Sequence, residues 1–451
     1  MTEAILKDDL WIKTTCGGCY GNCHTRVHRV NGMAVKIEGE PDCPWTEGSI
    51  CGKGASPLQI LYDPNRLNYP VKRTNPEKGI GIDPKWQRIT WDEALETIAG
   101  KLREIYKDCP EAYLHQYTPT TGVLGCYMGI FARAFGGQQN SGGGGLFCGN
   151  ATHLHAGIVH GAWSYTADYE RANYVIYMGA SKGTGAGHSS GHMMKLTAEA
   201  RERGCKMVVF DPICNHAGGK ATEWVPILPG TDGAVCLAMV NVILNELGRY
   251  DVEYIKKESN GPFLIGPDRH YVRDKETHKP LIFDAKEGKA KTFDDPGVGD
   301  YALAGSYEVN GITCTPAFQL LKDHVRKYTP EMAAKISTVP AGTIRRIAGE
   351  FSEAASIGST VTIQGKTLPL RPVAVVTFRG MCGHANAWNS IAAAYLLNAI
   401  VGANDVPGGA IGWPTRFYGM PDTGWPNYHP KIDDDGNLLG GWWWVWEDAM
   451  W

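Results

Sequence analysis

The 451-residue chain contains no run approaching the ~18 apolar residues of a membrane helix; its best candidate, residues 234–244, is short and includes Asn241. No membrane span is therefore expected. A charge surplus is also missing: 44 basic against 47 acidic side chains leave a net −3, which excludes a strongly polyanion-binding protein and makes nucleic acid an unexpected partner. The start, Met1-Thr2-Glu3-Ala4-Ile5-Leu6-Lys7, has neither a basic segment followed by an apolar stretch nor a twin arginine, so the expected location is cytoplasmic. An even, closely spaced cysteine framework is absent as well, and the 13 cysteines point to metal or cofactor ligation rather than disulfides. What is abundant is glycine. Its 56 residues are about 12% of the chain against a usual ~7%, a composition suited to loops that cradle a ligand.

Residues 1–65 read as a small β-rich, cysteine-bearing unit, with strand patterns at Thr25–Val30 and Ala34–Ile37. Thr90-Trp91-Asp92-Glu93 predicts a helix start, since Thr90 can accept from the Glu93 N–H, and Leu95, Ile98, Leu102 and Ile105 follow at helical spacing. From about residue 141 the pattern becomes strand, glycine loop, helix, strand. Asn173–Met178 runs into Gly179-Ala180-Ser181, a helix covers about 192–203, and Lys206–Phe210 ends at Asp211. This βαβ order predicts a parallel sheet with ligands beyond the carboxyl ends of its strands. The same order recurs weakly at Pro372–Phe378, Arg379-Gly380 and a helix over 386–401, and the polar stretch 258–312 reads as a surface excursion.

Cys16-x2-Cys19-x3-Cys23, followed after 27 residues by Cys51-Gly52-Lys53-Gly54, is the most specific feature. Three thiolates from one tight loop and a fourth from a distant turn can supply each iron of a cubane [4Fe–4S] cluster with one soft ligand. Structural zinc usually takes paired two-cysteine clamps, and haem attachment needs a histidine where Tyr20 stands; zinc and unligated core cysteines remain the rival readings. Gly179, Ala180 and Ser181 offer backbone N–H groups suited to pyrophosphate oxygens. A nicotinamide site is the competing assignment, but residues 183–190 do not satisfy Gly-x-Gly-x-x-Gly. Asp211 at a strand end and Asp232 after Thr231 can each accept two donors from a ribose or guanine edge; equally, they can serve as a cap and a first-turn acid.

With these motifs, Ile89–Leu95, Val209-Phe210-Asp211-Pro212, Pro229-Gly230-Thr231-Asp232-Gly233-Ala234 and Asp405-Val406-Pro407-Gly408-Gly409, the chain resembles the N-terminal part of a catalytic subunit of the molybdopterin oxidoreductase (dimethyl sulfoxide reductase) family. The resemblance spans residues 16–409. It implies an α/β fold: a [4Fe–4S] domain at 1–65, a discontinuous pterin-binding domain from 66–140 and 360–451, and a Rossmann-like domain at 141–359 with a polar insertion near 258–312. The C-terminal barrel of the family is expected to be absent from residues 1–451. The implied cofactors are the cluster, held by Cys16, Cys19, Cys23 and Cys51, and a bis-molybdopterin guanine dinucleotide carrying Mo or W.

By the same resemblance Cys148, at the end of Gly142-Gly143-Gly144-Gly145, is the protein ligand to that metal, and Lys53 lies on the electron path between pterin and cluster. Gly179, Ala180, Ser181, Asp211, Pro229, Gly230, Thr231, Asp232 and Gly380 are the expected dinucleotide contacts. A solvated Lys53 and a buried structural Cys148 are the plain alternatives. Cys148-Gly149-Asn150 is similar to the acetylene hydratase and sulfur-compound or oxyanion reductase side of the family, although Tyr20 stands where the hydratase has its water-activating aspartate. His153, His155 and His160 are possible proton carriers or packing residues. The expected function is a two-electron oxidoreductase acting on a small molecule; its expected partners are an iron–sulfur electron-transfer subunit, together with a separate C-terminal part. A non-redox hydratase or transhydroxylase and a non-catalytic cluster carrier are the alternatives. The cluster Trp442-Trp443-Trp444-Val445-Trp446 is expected to lie against further protein.

Overall fold

The computed structural model describes residues 7–18, 23–44, 46–116, 131, 134–136, 139–141, 152–162, 164–181 and 190–413. Cys19, Cys148 and the Trp442–Trp446 cluster lie outside the described residues. The chain divides into two compact units, one holding the described residues up to 141 and 190–194, the other those of 152–181 and 195–413.

In the first unit, β1 (Asp9–Thr15), β2 (His24–Val30) and β3 (Met33–Gly39) form an antiparallel meander in the order β1-β2-β3. Asn31 and Gly32 both take positive φ in the turn between β2 and β3, the geometry that lets a two-residue loop follow the strand twist. The short helix α1 (Gly52–Ala55) starts directly at Cys51, which is its N-cap residue. Helix α2 (Trp91–Asp108) begins as its cap pattern predicts: Thr90 Oγ1 accepts from the Glu93 N–H at 3.1 Å, while the Glu93 carboxylate pairs with Lys72 at 3.3 Å. Its apolar positions Leu95 and Ile98 are exposed.

The second unit opens with α3 (Leu154–His160) and β4 (Ser164–Ala167), then the fully buried β5 (Tyr174–Met178), the part of α4 (Ser190–Glu202) from Lys195 on, β6 (Lys206–Phe210) and β7 (Glu223–Val225). Helix α5 (Asp232–Asn241) follows, then α6 (Val252–Glu258). Beyond the 258–312 segment come α7 (Ala317–Val325), α8 (Pro330–Ser337), α9 (Ala341–Ala354), β8 (Val373–Thr377), α10 (Ala387–Ile400) and β9 (Ala410–Trp413). Strands β7, β6, β5 and β8 make a parallel sheet in that order, with Tyr174 paired to Lys206 on one side and Val373 on the other. A run of Val, Ile, Tyr and Met with no alternation is what a strand covered on both faces requires. Helices α5 and α10 cross closely: a Cβ on Gly233 would come within 2.8 Å of Ser390 Oγ. The outer edge of β8 is not left open, since Asn398 accepts from Val375 N at 2.7 Å and donates to Val375 O at 3.0 Å, and Tyr165 Oη accepts from Thr377 N at 2.8 Å.

Two sequence expectations are corrected here. Residues 360–413 do not stand with 66–140: they belong to the second unit, where β8 pairs along its whole length with β5 and completes the parallel sheet. The 258–312 segment is also more than a surface excursion. Strands Leu264–Ile265, Leu281–Asp284, Lys289–Thr292, Tyr307–Val309 and Ile312–Pro316 enclose a core of Leu264, Val272, Leu281, Val309 and Cys314, with Phe283 and Tyr307 stacked at 3.8 Å. Asp284, fully buried, is the knot of this module. It accepts from Gly299 N at 2.8 Å, Asp300 N at 3.1 Å, Lys286 N at 3.0 Å and Lys291 Nζ at 2.7 Å. Those donors hold its carboxyl far below the usual range, the backbone bond from Gly299 and the Lys291 ammonium contributing most.

Candidate cofactor site

The thiol loop is built by β1 handing over to Cys16 and β2 starting just after Cys23; Cys16 N donates to Cys23 O at 2.9 Å, closing the loop between them. Cys23 and Cys51 are buried and Cys16 is half-buried, and none of the three is in a disulfide. Glycines crowd the Cys16 sulfur. Its Sγ accepts from Gly18 N at 3.4 Å, and a Cβ would meet that sulfur at 3.5 Å from Gly18 and 3.4 Å from Gly54. At Gly54 the same Cβ would be 2.6 Å from Ile50 Cγ1, so a larger residue there would have to displace the Ile50 side chain. Lys53 is exposed, with its Cβ 3.8 Å from the Cβ position of Gly18. Among the described residues no three His, Cys, Asp or Glu side chains converge closely enough to hold a metal ion; Cys19 is outside that set. By chemistry and by their glycine cradle, the three described thiols suit an iron–sulfur ligand set.

In the second unit, the carboxyl ends of β5 and β8 meet at a pair of glycines. A Cβ on Gly179 would lie 2.8 Å from the Gly380 backbone, and one on Gly380 would lie 2.6 Å from Gly179 Cα, while Gly179 holds a positive φ of +54°. Their N–H groups are used within the fold: Gly179 N donates to Phe210 O at 3.1 Å and Gly380 N to Gly179 O at 2.9 Å. Of the three amides expected at a pyrophosphate, that of Gly179 is thus used within the fold. The two glycines allow two strand ends to touch at the point where the sheet departs from sequence order, the place where open α/β sheets bind ligands.

Around that point stand the carboxylates singled out in the sequence. Asp211 Oδ1 accepts from Ile213 N at 3.1 Å and its Oδ2 from Asn215 Nδ2 at 2.9 Å, and the same amide donates to Ser181 Oγ at 2.9 Å. Asn215 thus ties Ser181 to Asp211. Ala180 is buried, Pro229 and Gly230 are exposed, and Thr231 Oγ1 is turned back onto Leu228 O at 2.6 Å. Asp232, only 5% exposed, opens α5; burial raises its carboxyl pKa, its own backbone N–H and His384 act the other way, and Asp211 adds to the rise. His384 belongs to none of the sequence motifs. It lies on the loop after Gly380, its ring 3.8 Å from the Cβ position of Gly230, and its Nε2 is buried without a hydrogen-bond partner. A buried carboxylate with a raised pKa beside an orphaned imidazole nitrogen is a donor–acceptor pair that a nucleotide edge can satisfy. The residues present fit such a group.

A parallel sheet with a switch point between β5 and β8, preceded by a cysteine loop of cluster spacing, suits an iron–sulfur protein with a dinucleotide-type cofactor. Comparison with known proteins is specific. The molybdopterin oxidoreductase profile matches residues 66–410 and the molybdopterin oxidoreductase Fe4S4 domain profile residues 10–63. The chain belongs to the molybdopterin oxidoreductase family, whose cofactors are molybdopterin and a 4Fe–4S cluster. It is 31% identical to a sulfite dehydrogenase subunit of Allochromatium vinosum over 88% of this chain and 43% of that protein. Against the perchlorate reductase alpha subunit of Dechloromonas aromatica it is 29% identical over 76% of this chain and 42% of that protein. The chain thus spans less than half the length of these relatives. Among solved structures it shares its fold with acetylene hydratase from Pelobacter acetylenicus, at a TM-score of 0.58 and 24% identity, covering 88% of this chain and 44% of that one. Among the described residues no helix is long and apolar enough to cross a membrane.

Proposed function

We propose that the chain is part of a molybdenum- or tungsten-dependent oxidoreductase that passes two electrons between a small substrate and an external carrier. The bound metal supplies a two-electron change coupled to exchange of an oxygen or sulfur atom. In this reading Cys16, Cys19, Cys23 and Cys51 hold the cluster, Cys148 ligates the metal, and Lys53 serves the electron path. Asp211, Asp232, Thr231, Gly230, Pro229, Ala180 and Ser181 contact a guanine dinucleotide, and His384 joins them. An iron–sulfur subunit exchanges electrons with the cluster. The absence of disulfides among the described cysteines suits a reducing compartment such as the cytoplasm.

The observation that carries the reading is Asp232: a carboxylate buried at the switch point, beside Asp211 and the orphaned Nε2 of His384, in a chain of this family. The test is anaerobic purification of the native protein, with iron, zinc, molybdenum and tungsten measured together with turnover in the presence and absence of an electron acceptor. About four irons per chain with Mo or W, and turnover that stops without an acceptor, are expected. Zinc in place of iron, or turnover indifferent to the acceptor, would overturn it.

A further inference from the structure

We propose that a cavity at the amino end of β8 binds a small organic cation, an alkylammonium or short diammonium ion, received by Glu258, Asp405 and Asn404. The proposal does not rest on the oxidoreductase reading. The cavity measures about 480 Å³ and is walled by α6, by the chain entering β8 at Pro369 and Arg371, and by the loop of residues 402–406 after α10. It lies at the opposite end of β8 from the Gly179–Gly380 contact, and all of its wall belongs to the second unit.

The charges of this wall are unequally matched. Both cations are paired: Arg371 donates twice to Asp251 Oδ2, at 2.6 and 3.0 Å, and also to the carbonyls of Leu370 and Ser359, while Lys257 meets Glu253 at 3.1 Å. Two further carboxylates have no lysine or arginine partner among the described residues. They are Glu258, on the exposed rim, and Asp405, 46% exposed, which meets the His160 ring at 2.7 Å and the Gly412 N–H at 2.9 Å. The wall therefore carries an excess of negative charge.

Asn404 is the second, independent sign of a ligand. Its side chain is 6% exposed and bonds to Tyr254, which leaves its Oδ1 buried without a hydrogen-bond partner on the wall of the cavity. A buried amide oxygen that accepts nothing is rare in a folded protein, and an N–H donor is what it lacks. Burial raises the pKa of the Tyr254 phenol, and Asp405, Glu258 and Asp251 act in the same direction, so three carboxylates stand near one aromatic ring. Such a ring is itself attractive to alkylammonium groups.

The fold holds these groups in place. Asp251 caps α6, accepting from Tyr254 N at 3.0 Å, and its own N–H donates to Ile400 O at 2.8 Å. Gly402, at a φ of +69°, presses so closely on α6 that a Cβ there would lie 2.6 Å from Asp251 Oδ2. Asp405 holds a φ of +54°, a left-handed conformation uncommon outside glycine, and its N–H is fastened to Ala410 O at 2.8 Å. Strain of this kind is retained most often where a site needs it.

The class of ligand follows by matching charge and donors. Among the described residues no three acidic, imidazole or thiol side chains converge closely enough to hold a metal ion, so the complementary charge belongs to a larger molecule. An anion would face Glu258 and Asp405 and find both cations paired. An ammonium group supplies an N–H for Asn404 Oδ1 and a positive charge for the two carboxylates, and a short alkyl chain suits the apolar wall of Pro369 and Val406.

Isothermal titration of the native protein with putrescine, a short linear diamine, tests the site. One putrescine per chain, with a Kd below about 1 mM that weakens as salt is raised, is the expected result. Glu258→Gln, at an exposed position, should weaken binding about tenfold at an unchanged melting temperature, and Asn404→Ala by a similar factor. Lys257→Gln, which removes a cation from the rim, should leave binding as tight or tighter, and propionate should not bind. No saturable heat up to about 10 mM putrescine would overturn the proposal. So would propionate binding as tightly as putrescine, or a Glu258→Gln protein that binds putrescine like the wild type. Metal and dinucleotide content enter none of these outcomes, so the cation site and the oxidoreductase reading fail separately.

Discussion

Asp284 and Asp232 are both buried carboxylates, 0% and 5% exposed, in opposite circumstances. Asp284 receives four backbone N–H groups and the Lys291 ammonium, itself held by Glu287 at 2.7 Å, and its pKa is driven down. Asp232 opens a helix with no ion pair to it among the described residues, and its pKa is driven up by burial. A buried charge with a full set of partners is a fastener. A buried charge without them is a cost that the fold bears at a ligand crevice, and the partner expected to offset it is the cofactor.

The sharpest test of this contrast is Asp284→Ala. Removing the knot strips the buried Lys291 of one of its two carboxylates and leaves the backbone N–H groups around Asp284 unpaired, so amide exchange across residues 264–316 should accelerate by roughly a hundredfold or more, with dinucleotide content unchanged. Loss of dinucleotide in this variant would erase the distinction between the two sites. Next in size is Asp232→Asn, which keeps the shape and removes the charge: dinucleotide retained after gel filtration should fall about tenfold while the melting temperature holds or rises. His384→Ala should produce a smaller loss of retention, about threefold, since it removes one imidazole contact.

Acid titration separates the pair by sign. Asp284, its folded pKa below the ordinary 3.8, contributes stability that is complete above that value and is lost as pH falls through the folded one. Asp232, its folded pKa above 3.8, does the reverse. The folded state keeps a proton that the unfolded state has released, so the cost of Asp232 is present at neutral pH and fades as pH falls through the raised value. The stability difference between wild type and Asp232→Asn, followed by urea denaturation, should accordingly shrink on acidification. A difference that grows would contradict the assignment.

What can be read from sequence follows from how local each signal is. Lys206–Phe210 and Asn173–Met178 are continuous apolar runs ended by an acid or a glycine, and the fold places strands there within a residue. Asp211 and Asp232 are legible for the same reason, since a strand end and a helix start each announce themselves in a few neighbouring residues. The module core is not, because Leu264, Val272, Leu281, Val309 and Cys314 are spread through a polar stretch, and two of the donors to Asp284, Gly299 and Asp300, lie 15 and 16 residues away. His384 has no local motif either. It reaches the site only because β8 adds to β5, the same pairing that moves residues 360–413 out of their expected domain. The faint resemblance between the sequences around Gly179 and Gly380 is the one sign of that pairing, and the two glycines prove to touch.

The most direct measurement of the central claim is the guanine dinucleotide released per chain from the anaerobically purified native protein, wild type against Asp232→Asn. A pair of dinucleotides bound to the wild type and a clear deficit in the variant, at equal iron, is the predicted result. Equal dinucleotide in both, or none in either, would contradict the assignment of the strand-end crevice.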